Sequence, residues 1–229
     1  MRILAATIAV PVALLVWQWW GDHSLERKLS PIASGVAGRE VHVNCQGFWP
    51  SLIDIGTRDG EVRFDARGRP EAKLFITHGT CMELKRFLGK DTHGELACLT
   101  AVDWSAPDPL PFDSACYHDA AETIYAVLIL AHEAYHTAGV SDEATTNCYA
   151  LQAMAWTAMQ LGAPQGEAEL LARAMEALEP KQDSAYATTE CHAGRALDLH
   201  PETTDFPTEH PIVAPYGIGG MRGIASGAS

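Results

Sequence analysis

His132-Glu133-Ala134-Tyr135-His136 is the stretch of this chain best equipped for chemistry. Residues four apart share one face of a helix, so His132 and His136 can turn both imidazoles toward a single metal ion. Glu133 directly follows the first histidine. That position is poor for a third ligand. It suits a general base that takes a proton from a water beside the metal. Zinc accepts two imidazoles and a carboxylate and leaves one coordination position open. The apolar run Val127 to Ala131 lies just ahead of the motif. A buried helix carries two histidines and a glutamate only where something satisfies them, so a metal site is a better account than a solvated face.

The third ligand must come from the chain just beyond. Thr137-Ala138-Gly139 reads as a helix end, with Gly139 able to take a positive φ. Ser141 can cap a second helix, with Asp142 and Glu143 in its first turn. The second helix would therefore return beside His136, and two carboxylates compete for the metal. The string H-E-x-x-H-x-x-G-x-x-D, ending at Asp142, resembles the metzincin metallopeptidases in which Asp replaces the last histidine. The string from Asp142 to Asn147 resembles the helix of gluzincin peptidases whose Glu binds zinc and whose residue four later braces the first histidine. Glu143 is the favoured ligand, because Ala144 to Leu161 reads as a continuous helix and no Met-containing turn follows closely. The spacer to Glu143 is shorter than in gluzincins, and Asn147 stands where they carry Asp. The fuller motif is also similar to uncharacterised bacterial exported proteins. Together these resemblances imply a zincin-like core, zinc as cofactor, and hydrolysis of peptide bonds in a peptide or protein substrate.

The elements that must hold these residues follow from periodicity. Asp113 to Ala138 reads as the motif helix, Ser141 to Leu161 as the return helix, Gln165 to Leu178 as a third and Lys181 to Leu197 as a fourth. Thr80 is expected to cap a shorter helix over Cys81 to Leu88, and Pro107, Pro109 and Pro111 make a stiff connector. Glu40 to Phe48 alternates like a strand, and 61–65 with 72–76 reads as a hairpin around Ala66 to Pro70. The expected fold class is α+β, mostly α. It has a zincin-like motif helix and return helix, a small antiparallel sheet, and one N-terminal transmembrane helix.

Ile3 to Trp20 is apolar, long enough to cross a bilayer, and ends in Trp17, Trp19 and Trp20, which suit an interface. Gly21-Asp22-His23 is a poor cleavage site, so a retained signal-anchor is favoured over a removed signal peptide. The organisation expected is a membrane segment over 1–21, a juxtamembrane linker over 22–39, a metal-binding domain over 40–200 and a loose tail over 201–229. The chain has 229 residues, enough for one domain plus an anchor, and 47% hydrophobic residues, enough for a core. Its formal charge of -13 argues against nucleic acid as a partner, because phosphate binding needs clustered Lys and Arg.

The six cysteines, with no C-x-x-C pair among them, indicate disulfides outside the cytoplasm. Their order in the chain suggests Cys45 with Cys81, Cys98 with Cys116 and Cys148 with Cys191. Six cysteines allow 15 pairings in general. The segment Ala144 to Ala150 is echoed by Ala187 to Ala193, either by coincidence, since no other repeat accompanies it, or as two helices presenting paired cysteines. Asn147 is expected to orient a histidine ligand, and Tyr149, Tyr117, His118 and His192 are oxyanion-donor candidates by residue type. The rival reading is a non-catalytic, disulfide-bonded extracytoplasmic binding protein with a structural metal or none.

Overall fold

The computed structural model describes residues 23–46, 60–203 and 206–207. Residues 23–37 form helix α1. Leu25, Leu29, Ile32, Ala33 and Val36 repeat at helical spacing along it and are all buried. This corrects the linker expected over 22–39: an amphipathic stripe was present there, and it docks into the core. The apolar run 3–20 and its expected membrane crossing lie outside the described residues. Among the described residues, no helix is long and apolar enough to cross a membrane.

Three strands follow: β1 (His42–Cys45), β2 (Gly60–Phe64) and β3 (Pro70–Ile76), in the order β1-β3-β2. The expected hairpin is β2-β3. Its turn is closed by Asp65, whose Oδ1 accepts from the backbone N–H of Arg67 and Arg69 at 2.8 and 2.9 Å. β1, however, pairs with β3 in parallel, from His42 opposite Lys73 to Cys45 opposite Ile76. The sheet is therefore mixed, and the expectation of a purely antiparallel sheet is corrected.

The edge of β1 is closed by α1. Ser34, Ser30 and Glu26 side chains accept from the N–H groups of Val41, Val43 and Cys45 at 2.9, 3.0 and 3.0 Å. Every second strand residue presents its N–H to the same side, and every fourth helix residue meets one.

Helix α2 (His78–Gly89) is capped by Thr77, not Thr80, whose own N–H donates to the Thr77 side chain. Cys45–Cys81 ties it to the end of β1. The single turn α3 (His93–Leu96) and a 3-10 turn (Ala97–Ala101) lead to Cys98–Cys116 at the start of α4 (Ala115–Thr137). Helix α4 is apolar nearly all round and packs against β2, β3, α2, α5 (Glu143–Gln160) and α6 (Gln165–Leu178). It is the central beam of the molecule.

The fourth helix expected over 181–197 is absent: a short 3-10 turn (Glu179–Lys181) gives way to successive turns. Local bonds compete with a helix there. The Asp183 carboxylate accepts from Ala185 N–H at 2.9 Å, Asp198 accepts from Gly194 N–H at 2.6 Å, and Gly194 has φ 69°. This strap is fastened to α5 by Cys148–Cys191 and by Gln152, which donates to the Leu197 carbonyl and accepts from Leu199 N–H. The two similar segments around Cys148 and Cys191 thus do present a cysteine pair, although only the first is helical.

Candidate metal centre

The site is built on the reversal between α4 and α5. Gly139 takes φ 101°, and Val140 N–H donates to the Tyr135 carbonyl across the helix end. Asp142, rather than Ser141, caps α5. Its carboxylate accepts from Thr145 N–H at 2.8 Å and from the Thr145 hydroxyl at 2.6 Å. Asp142 is therefore committed to the helix start. Glu143 is the first helical residue, and there its side chain swings back over α4.

Glu143 Oε2 lies 3.0 Å from His132 Nε2 and 3.3 Å from His136 Nε2. One ligand atom from each of the three residues falls within 4.8 Å of the others. The two imidazoles are buried, with ring centroids 4.6 Å apart at 82°. The His136 Nδ1–H donates to the Val140 carbonyl at 2.7 Å, which leaves the Nε2 lone pair for an ion. The donor set fits a metal: two nitrogens and one carboxylate oxygen converge from one local hairpin. This group could hold a metal ion.

The electrostatics agree with such a role. The hydrogen bond from His132, opposed by partial burial and assisted by the charges of both histidines, holds the Glu143 carboxyl down to about 2. Burial, followed by the charge of His132, pushes the His136 imidazole below its ordinary range, toward the neutral form a metal requires.

Glu133 is buried beside this group, beneath the start of β2. A Cβ placed at Gly60 would fall 2.5 Å from Glu133 Cγ and 2.6 Å from its Cδ and Oε1. Only glycine lets the strand backbone approach the carboxylate this closely. The three donors and Glu133 open into a cleft of about 450 Å³, walled by β2 on one side and by Gln182 and Tyr186 of the strap on the other.

Comparison with family models, curated proteins and solved structures finds no match. The site must be read from its own geometry.

Several sequence expectations are redirected by it. The Asn147 amide does not brace a histidine. It donates to Gln182 Oε1 at 3.0 Å and to the Tyr186 carbonyl at 3.1 Å, pinning the strap to α5. None of the four oxyanion candidates lines the described cleft. Tyr149 packs on Tyr135 with centroids 5.6 Å apart, and Tyr117 sits between Phe112 and His118. His192 lies on the strap near Glu176. Tyr186 was missed: its ring stands 6.0 Å from that of His132 at the mouth of the cleft. No sequence signal marked it, because the segment reads as helix by composition. Gly60 was missed because a strand-end glycine looks like ordinary turn chemistry.

Proposed function

We propose that this chain is a zinc-dependent hydrolase of peptide bonds, with His132, His136 and Glu143 as the metal ligands and Glu133 as the general base. The observation that carries the reading is the convergence of the three donors on an open cleft, with a buried carboxylate alongside them. A closed structural site would not need such a cleft. Zinc held there supplies a Lewis acid for a carbonyl oxygen and makes water more acidic. Glu133 accepts a proton from water at its carboxylate and delivers it to the leaving amine. The Val140 carbonyl keeps the His136 ring in one tautomer and one orientation. Tyr186 and Gln182 offer polar groups on the far wall.

The three disulfides fit an oxidising compartment, and we place the catalytic domain outside the cytoplasm, held by the 3–20 segment as a membrane anchor. An intact mass that begins after residue 20 would remove the anchor and leave a secreted protein.

The deciding experiment is metal analysis of purified protein beside its Glu133→Gln variant. The wild type carries zinc and cleaves peptides. The variant keeps the zinc and loses about 10²-fold or more in rate. A wild type that binds zinc but cleaves nothing favours the structural-metal alternative, and one that takes up no metal ends the hydrolase reading.

A further inference from the structure

Tyr125, Leu128 and Ile129 stand at i−7, i−4 and i−3 from His132, so α4 presents them on the His132 face. All three line the same cleft as the metal ligands. Across from them, β2 contributes Val62 and Phe64. Phe64 is 41% exposed, one of four large hydrophobic side chains open to solvent among the described residues. Tyr186, at 39%, is another, and it stands on the opposite wall. Two of the four therefore border one cleft, and an exposed apolar wall beside polar chemistry is how a site recognises an apolar group.

The charge of the cleft is one-sided. Its described lining holds Glu61, Glu133 and Glu143 and no lysine or arginine. Glu61 is in an ion pair with Arg63, Oε1 to Nε 3.6 Å; both side chains reach solvent, and an exposed pair of this kind is weak enough for a ligand cation to compete with. In the proposed site Glu143 is taken by the ion and Glu133 by the water, so Glu61 is the lining carboxylate left to meet a peptide; salt screens charges beyond about 8 Å, so it acts there rather than the net -13 of the chain.

We propose that the cleft selects peptides with a bulky apolar side chain beside the attacked bond and with basic rather than acidic flanks. This rests on the reading of the cleft as a peptide-binding site. The apolar side chain lies between Phe64 and the Tyr125–Ile129 face of α4, and the flanking cations meet Glu61.

The test uses three fluorescently labelled pentapeptides: Lys-Ala-Phe-Ala-Lys, Lys-Ala-Ala-Ala-Lys and Glu-Ala-Phe-Ala-Glu. Their affinities are measured by anisotropy for the full chain carrying Glu133→Gln, purified with zinc. The first peptide binds about tenfold more tightly than either of the others. Adding Phe64→Ala reduces the advantage of phenylalanine over alanine, and adding Glu61→Lys reduces or reverses the advantage of lysine over glutamate. Both positions are exposed enough for the fold to survive, and circular dichroism and zinc content stay unchanged. Equal affinities for the three peptides, no binding by any, or preferences untouched by both variants would overturn the proposal. Hydrolysis of the same peptides by the chain with Glu133 intact is scored separately. Selective binding without cleavage removes the hydrolase reading and leaves the selectivity in place.

Discussion

The His136 ring is oriented through Nδ1 by the Val140 carbonyl, and its Nε2 faces the Glu143 carboxylate at 3.3 Å. That division of labour fixes what substitutions should do. His132→Ala, His136→Ala and Glu143→Ala each strip the metal, measured as zinc per chain after dialysis. Asp142→Ala keeps the metal and costs about 1 kcal/mol of stability, because its carboxylate is engaged in capping α5. Equal metal loss in Asp142→Ala and Glu143→Ala would refute this assignment. Tyr135 gives an independent check at the same scale. It is fully buried, and its hydroxyl has no hydrogen-bond partner among the described residues. Tyr135→Phe should therefore stabilise the chain by about 1 kcal/mol in denaturant melts, because it removes a desolvated donor that gains nothing. The convergence of His132, His136 and Glu143 was legible in the sequence because all three residues belong to one short helical reversal, where spacing alone dictates direction. The role of Asn147 was not, since its partners come from |i−j| of 35 and 39, and no local pattern reports on them.

Between elements, the sheet has two edges of different character. Ser34, Ser30 and Glu26 satisfy the β1 edge, whereas the β2 edge borders the cleft. Ser30→Ala should cost about 1 kcal/mol and speed amide exchange at Val43, whose N–H loses its acceptor. Exchange at Val43 as slow as in the parent would mean that the helix does not hold that edge. Gly60→Ala tests the other edge. The added methyl has to displace Glu133 or the strand, so zinc content is retained while peptide hydrolysis falls at least about tenfold. The helices α4, α5 and α6 and the β2-β3 hairpin followed from period and turn residues. The parallel pairing of β1 did not, because a crossover of that kind leaves no mark on local alternation. The strap reads as helix through its four alanines, but Asp183, Gly194 and the adjoining Asp198, whose side chains and backbone freedom favour turns, prevail.

Across the whole molecule, all six cysteines are paired, and alkylation of the native chain should label none of them. Reduction should raise hydrogen exchange over 182–199, which Cys148–Cys191 fastens to α5, well before it affects the buried 126–137 part of α4, which lies away from Cys98–Cys116 at the helix start. Equal protection of the strap in reduced and oxidised protein would show that Asn147 and Gln152 suffice to hold it. The placement of His132 and Glu143 only eleven residues apart has a further consequence, one of timing during folding. Closing so short a loop costs little chain entropy, so the ligand hairpin can assemble early and without distant help. The cleft walls arrive from Gly60 to Phe64 on one side and from Gln182 to Tyr186 on the other, far away in the chain, and contacts of that kind form late. On the proposed reading, the three donors would thus be assembled for an ion while the site is still unable to grip anything, and competence would be conferred afterwards by the last long-range contacts to close.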